Sequence, residues 1–501
     1  MTLNFQPSTE DFARHYDQGD IQLVHADVIA DLETPVSAYM KLCAGCANSF
    51  LLESVQDGDI KGRFSIIGWA PDLVFKVENG TALINRNAAK EDDAFKEMDL
   101  SPLDGLRKIL NESRFDIPAE LPKMSAGVFG YLGYDMVKYM EALPDTNPTK
   151  LETPESLFIR PTLMAVFDNV TNSLKLATPV YPASDQTARQ AYENAVIRLT
   201  EARQSLGREI PDDEKTADFE FEEPGSNISP EEYFEMVRKA RDYIKAGDIF
   251  QVVLSQQFNM PFPLPPFSFY RSLRRINPSP YLFFLNFDGF SIVGSSPEVL
   301  VGVEQGTVNI RPIAGTRRRG NSAEEDREIG AELLTDEKEL AEHLMLLDLG
   351  RNDVGRVSQT SSISINESFS LQKTSHLIHI YSDVTGKLLP DHDTVDALTA
   401  GFPAGTVSGA PKVRAMEIID ELEPQKRGIY SGCVGYFAAG GDMDTCIALR
   451  TGIIKDGMLY VQAGGGVVYD STEKGEYDET VNKAMALFRA AKDAIDLYNK
   501  K

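Results

Sequence analysis

The stretch ISPEEYFEMVRKARDYIKAGDIFQVVLSQQF, residues 228–258, changes character half-way along. Its first part reads as a helix, with Ser229 as N-cap and Glu232, three residues on, completing a capping box. Its second part, IFQVVLSQQF, reads as a strand. Toward the C-terminus such units alternate without a regular βαβ rhythm, which predicts a mixed α+β architecture with large, mainly antiparallel sheets. Upstream, SFLLESV and LMAVFDNV are strand-like, and Gln186 to Leu206 carries apolar residues at helical spacing. Between the halves lies REIPDDEKTADFEFEEPGSNISP, which is acidic, broken by Pro and Gly, and without a sustained apolar period. These patterns predict an N-terminal domain over 1–207, an acidic linker over 208–228 and a second domain over 229–501.

Composition narrows the function classes. A chain of 501 residues, 42% of them hydrophobic, is long enough for more than one ordinary core. With 76 acidic against 50 basic residues, its long-range field repels phosphate, so wholesale binding of nucleic acid or of an anionic membrane is disfavoured. An anionic ligand must then be captured locally, by a metal or by placed donors. The start, MTLNFQPSTEDF, lacks a basic region followed by an apolar core, and no apolar run approaches the roughly 18 residues that span a bilayer. Four cysteines agree with a reducing compartment, and the expected location is the cytoplasm. Cys43 and Cys46 form a C-x-x-C with no second pair to complete a zinc site, so it is read as coincidence.

Several constellations are candidates for chemistry. TDEKELAEHLMLLDLGRND places Leu340, Leu344 and Leu347 on one predicted helical face and Glu339, Glu342 and His343 on another. EKGEYDETVNKAMALF repeats the design, with Val481, Ala484, Met485 and Phe488 as the buried stripe and Glu476 and Glu479 elsewhere. Each E-x-x-E pair alone reads first as a solvated helix face; together they suit Mg²⁺, which prefers carboxylate oxygens and keeps several waters. GFPAGTVSGAPKVRAMEII opens a helix after a Ser/Gly turn without being a Walker loop, and Gly464, Gly465 and Gly466 mark a turn or a close approach to a ligand. His379 sits in a strand-like run, Glu298 follows a Pro at a strand boundary, and Arg450 ends another strand. A structural role is open for each of these three. RPIAGTRRRG, residues 311–320, offers Arg311, Arg317, Arg318 and Arg319 as an anion trap.

Taken in order, GDIFQVV, NPSPYLFF, GSSPE, RPIAGTRRRG, DEKELAEHLMLLDLGRNDVGRV, GTVSGAPKVRAMEII, YSGCVGYF, DTCIALR, VQAGGGVVYDS and EYDETVNKA closely resemble the chorismate-utilising enzymes, most of all the anthranilate-forming branch. FLLES and AGVFGYLGYD extend the resemblance more sparsely into the N-terminal half. It implies a two-lobed α+β fold of interleaved, mainly antiparallel sheets with helices outside. It implies one Mg²⁺ site, with Glu342 and Glu479 nearer the ion and Glu339 and Glu476 behind water. It also implies Gly315, Thr316, Tyr430, Arg450, Gly464, Gly465, Gly466 and Lys483 as substrate contacts, and Glu298, His379 and Thr406 as catalytic positions, with Glu298 the general acid. The arginines of RPIAGTRRRG receive no such role and are left as structural ion pairs.

Two positions speak to the nucleophile within the family. Water-adding members carry a lysine base where this chain has Gln251, which cannot take up a proton at neutral pH. Many aminodeoxychorismate synthases carry a nucleophilic lysine where this chain has Ala314. The resemblance therefore implies attack by ammonia on chorismate, with loss of pyruvate. Ser431-Gly432-Cys433-Val434-Gly435 departs from the G-x-C-x-G of a triad glutaminase. A separate glutamine amidotransferase chain is the expected ammonia source, in a heterotetramer of two chains of each kind. Glu53, Ser54, Pro280, Tyr281, Leu282 and, less directly, Cys446 match the family's L-tryptophan element, which implies feedback inhibition. The alternatives at this stage are an aminodeoxychorismate synthase component and a tryptophan-binding subunit without catalysis.

Overall fold

The computed structural model describes residues 3–56, 60–91, 93–211, 218–374 and 377–500. Helix Pro230–Ala246 begins as its sequence dictates: Ser229 Oγ accepts from the Glu232 N–H, and the Glu232 carboxylate accepts from the Ser229 N–H at 2.7 Å. Gly247, at φ 84°, ends it in the left-handed region that favours glycine. Tyr233, Met236, Val237 and Ala240 are its buried stripe. Strand Gln251–Pro261 follows and is almost wholly buried, so it shows none of the alternation of a half-solvated strand. Residues 212–217 of the expected linker lie outside the described residues, and Gly225–Ser226 beyond them already pairs with that strand.

Antiparallel pairing dominates the sheet, which forks at strand Ser156–Asp168. Its register against Phe64–Glu78 slips between Arg160 and Pro161, because proline has no N–H to give to the ladder. One arm runs through Phe64–Glu78, Ser49–Glu53, Tyr281–Phe287, Phe290–Ser296, Thr451–Lys455 and Met458–Val467 to Gln251–Pro261. The other runs through Gly127–Leu132, Cys433–Ala438, Met443–Ile447, Val299–Glu304 and Thr307–Ile310 to Leu377–Lys387, which also pairs with Ile313–Arg318. Strands from before and after the expected linker thus hydrogen-bond to each other in both arms. The architecture is the α+β fold with interleaved antiparallel sheets that the sequence predicts.

Helix Glu473–Asn499 buries Ala484 and Phe488, with Val481 and Met485 packed on the core beside them, as its periodicity predicts. Helix Glu337–Val357 departs from its predicted face. Leu344 is 56% exposed, whereas His343 is fully buried, its Nε2 paired with Ser382 Oγ at 2.7 Å. So many leucines leave the apolar face of this helix undetermined by spacing, and a hydroxyl on the neighbouring strand gives the imidazole a partner inside. Burial pulls the His343 pKa down to about 4, so the ring is neutral. Among the described residues no helix is long and apolar enough to cross a membrane.

Candidate active site

Three successive glycines on strand Met458–Val467 let three functional side chains close up on the backbone. A Cβ on Gly464 would lie 2.7 Å from the Tyr430 hydroxyl, one on Gly465 2.8 Å from Glu476 Oε2, and one on Gly466 2.8 Å from Gln251 Nε2. Lys483, one turn after Glu479, reaches the same strand, with Nζ 2.9 Å from the Gly464 carbonyl and 2.7 Å from Glu479 Oε1. Gly465→Ala is expected to press on the buried Glu476 and to lower stability by about 1–3 kcal/mol. A urea midpoint below that of the parent chain checks it, with unchanged slope.

The predicted carboxylates lie near enough that Glu339 and Glu479 act on the charge of Glu342, and Glu479 on that of Glu476. Glu342 accepts from Gln251 Nε2 at 3.3 Å. Burial first, then the neighbouring Glu339 and Glu479, push the Glu342 carboxyl above its ordinary range, against the lowering effect of the Gln251 bond. Glu476 is likewise raised by burial and by Glu479, and its Oε1 accepts from Ser471 Oγ at 2.7 Å. Its Oε2 is buried without a hydrogen-bond partner among the described residues. Like charges gathered around an orphaned buried oxygen form a donor set that suits a hard divalent cation. Among the described residues no three His, Cys, Asp or Glu side chains come close enough together to hold a metal ion directly.

Across from these helices, Ile313–Arg318 brings Gly315 beside them. At φ 73° its backbone is left-handed, and a Cβ there would stand 3.2 Å from Glu339 Oε2. Thr316 Oγ1 lies 2.9 Å from Nδ1 of His379, its cross-strand partner. Burial, then Arg450, lowers the His379 pKa to about 4, so at neutral pH the ring is uncharged and suited to hydrogen bonding more than to taking up a proton. Arg450 itself has φ 48°, an uncommon conformation for a non-glycine residue. Its guanidinium makes no hydrogen bond or ion pair among the described residues.

Glu298 is 8% exposed. Thr406 Oγ1 donates to its Oε1 at 3.0 Å, and the Ile313 N–H also favours the charged form. Burial outweighs both and holds the carboxyl protonated up to about pH 8. A small cavity of about 30 Å³, room for one water-sized molecule, lies against Glu298 and Thr406 and is also lined by Arg311 and Asp353.

The four arginines are not an anion trap. Arg317 is tied to Asp336 at 2.6 Å and Glu339 at 2.8 Å, Arg319 to Asp326 at 2.6 Å, and Arg311 lies over the Tyr381 ring and 3.6 Å from Asp383. Arg318 is exposed. Arg317 nonetheless serves the site by holding Glu339. Ala314 is buried on the same strand and carries no amine.

The tryptophan-element residues lie on or beside strands Ser49–Glu53, Tyr281–Phe287 and Met443–Ile447. Leu282 pairs with Glu53 across the sheet, and Ser54 directly follows. The Glu53 carboxylate accepts from Tyr270 at 2.6 Å and from Arg274 at 2.6 and 3.0 Å, so it is already engaged by a cation of this chain. Tyr281, next to Pro280, donates to the half-buried Asp444 at 2.9 Å, and Cys446 is buried on that same strand. Burial raises the thiols of Cys43 and Cys46.

The pair Glu423 and Arg427 went unremarked in the sequence, although both side chains are buried behind Tyr430. Their i, i+4 spacing was the available signal, and Pro424 hides it by ending the helical pattern after Leu422.

Residues 48–489 match the family described as chorismate binding enzyme. The chain belongs to this family. It is 52% identical to the anthranilate synthase component 1 of Cereibacter sphaeroides, over 97% of this chain and 98% of that one. It is 45% identical to the protein of the same name from Pseudomonas putida, over 93% and 94% of the two chains. The crystal structure of anthranilate synthase component I from Streptococcus pneumoniae superposes with a TM-score of 0.75 at 38% identity, covering 92% of this chain and 99% of that one. The menaquinone-specific isochorismate synthase MenF of Escherichia coli shares the fold, with a TM-score of 0.71 at 18% identity over 96% and 98% of the chains. This family member therefore carries Arg450, protonated Glu298 and the four glutamates on a fold that MenF shares.

Proposed function

We propose that this chain is the synthase component that converts chorismate and ammonia into anthranilate and pyruvate. The observation that carries the reading is the Arg450 guanidinium, which makes no hydrogen bond or ion pair among the described residues in a chain of net charge −26. It would pair a carboxylate of the dianionic substrate. The relatives named anthranilate synthase component 1 give the reading its product.

Glu339, Glu342, Glu476 and Glu479 would hold Mg²⁺, which when bound neutralises the ring carboxylate and supports the charge that develops as a group leaves. Tyr430, Gly315, Thr316, the three glycines and Lys483 would position the ring. Glu298 would give its proton to the departing ring hydroxyl, which leaves as water after ammonia has added to the ring. Thr406 keeps the Glu298 carboxyl aimed, and neutral His379, aligned by Thr316, offers a hydrogen bond at the second leaving group. Gln251 bonded to Glu342 supplies no base for water, and Ala314 supplies no nucleophile.

The proposal includes a separate glutaminase chain as ammonia source, two of each in a heterotetramer, and the cytoplasm as location. Purified chain with chorismate, Mg²⁺ and ammonium, followed by mass spectrometry, tests it. Anthranilate with pyruvate is the expected result. Aminodeoxychorismate would move the reaction to the other amination product, and no turnover with tryptophan still bound would make the chain a sensor. L-tryptophan is expected to inhibit through the Glu53, Ser54, Pro280, Tyr281 and Leu282 group, in the N-terminal unit and its sheet neighbours. Activity flat to millimolar tryptophan would remove that regulatory reading.

A further inference from the structure

Arg427 and Glu423 form an ion pair whose side chains are 1% and 2% exposed. Arg427 Nε donates to Glu423 Oε2 at 2.9 Å, and Nη2 donates to Glu423 Oε1 at 2.5 Å and to the Val253 carbonyl at 2.6 Å. Nη1 donates to the Val407 carbonyl at 2.8 Å and reaches Ser431 Oγ at 3.4 Å. Glu423 Oε1 also accepts from the N–H and hydroxyl of Ser255, both at 2.8 Å. The guanidinium lies 4.9 Å from the centre of the Tyr134 ring and 5.6 Å from that of Tyr430.

The contacts with Val407, Val253, Ser255 and Tyr430 border the candidate site. Val407 follows Thr406, the partner of Glu298. Val253, Leu254 and Ser255 are the cross-strand partners of Gly466, Gly465 and Gly464. Tyr430 is the ring behind Gly464. Taking both charges out of water is costly, and apolar residues of similar size stabilise a core as well or better. What apolar residues cannot do is hold separate backbone carbonyls and a carboxylate in one fixed plane, which a guanidinium does through its rigid fork of donors.

The geometry points to Arg427, oriented by Glu423, as the positioning residue of the cleft: one guanidinium keeps the Thr406 turn, the strand facing the three glycines and the Tyr430 ring in mutual register. This rests on the proposed reading that Glu298, Thr406, Tyr430 and the glycines form the reactive cleft. It predicts that loosening Arg427 releases Thr406 from Glu298, removing a bond that favours the carboxylate. The charged groups lining the same small cavity, Arg311 and Asp353, stay in place.

Arg427→Lys and Glu423→Gln test it in the full-length chain. The expected result is folded protein by near-ultraviolet circular dichroism, kcat lower by about 10²-fold as for a misplaced reactive group, and KM for chorismate changed far less. The Glu298 carboxyl, followed by infrared difference spectroscopy against Glu298→Gln, should titrate at higher pH in both variants than in the parent. Folded variants with parental kcat and parental Glu298 titration would overturn the proposal, and so would loss of folding in both, which would assign the pair to stability alone. Parent protein that makes no anthranilate would instead overturn the functional reading, while the infrared titration, which needs no turnover, would still decide the role of Arg427.

Discussion

Glu298→Gln is expected to lower turnover of chorismate by about 10²–10⁴-fold, the range that a positioned proton donor supplies. The parent chain should lose activity as pH rises through about 8, where the Glu298 carboxyl gives up its proton, and the variant should lack that limb. Stability of the parent should also fall with rising pH, over the window below about 8. A carboxyl whose pKa is raised in the folded state is equally protonated in both states below its unfolded value near 4.5, so it costs nothing there. As pH rises toward about 8 the unfolded chain sheds the proton while the folded one keeps it, and stability falls across that window. Glutamine has the same shape and no proton to lose. The variant should therefore be more stable than the parent at pH 8, by up to roughly 1.4 kcal/mol for each unit of the upward shift. Urea titrations at pH 5 and pH 8 check this. A variant that is no more stable at pH 8 would show that Glu298 is not held protonated.

Glu342→Gln and Glu479→Gln are each expected to reduce Mg²⁺-dependent anthranilate formation by roughly 10³-fold, the equivalent of the several kcal/mol a metal contributes to stabilising developing charge. A second reading is independent of activity. In the parent chain Mg²⁺ should raise the melting temperature by relieving repulsion among Glu339, Glu342, Glu476 and Glu479, and binding linkage makes that rise grow with ion concentration. In each variant the rise should shrink. In the presence of a chelator, Glu476→Gln should melt above the parent, because the raised Glu476 carboxyl sits buried with one oxygen unpartnered. Parental Mg²⁺ response in both Glu342→Gln and Glu479→Gln would remove these residues from a metal site.

The candidate site was legible in the sequence to an uneven degree. The two E-x-x-E pairs follow from the period of a helix, which puts residues three apart on neighbouring positions of one surface. That the pairs approach each other does not follow, since it depends on how helices Glu337–Val357 and Glu473–Asn499 are seated on different sheet arms. The glycine run offered a turn or a close approach to a ligand; the structure sets it within a strand, where the side chains of Tyr430, Glu476 and Gln251 come close to it. The expected place of His343 fails because Leu340, Leu344 and Leu347 do not single out one face when Leu346 and Leu349 stand beside them in the sequence. The buried side was decided by Ser382, which the sequence of the helix does not contain. The arginines of RPIAGTRRRG show the reverse error: clustered charge along the chain suggests a ligand, yet in space most of them meet carboxylates brought from elsewhere.

By itself the sequence determined the local elements and the available chemistry. The capping box at Ser229 and Glu232 starts a helix whatever surrounds it, and the absence of an amine at Ala314 or a base at Gln251 is a property of the residues alone. Tertiary structure decided which of these groups are charged, paired or aimed. Glu298 stays protonated because strands and turns distant in sequence exclude water from it. Arg450 ends up half-buried with no hydrogen bond or ion pair from its guanidinium among the described residues although Glu479 acts on its charge, and Arg427 reaches Val253, Val407 and Glu423 at once only after the sheet has closed. The physical reason is the same in each case: helix and turn preferences act over a few residues, whereas desolvation and pairing depend on everything within a few ångströms, whichever part of the chain supplies it.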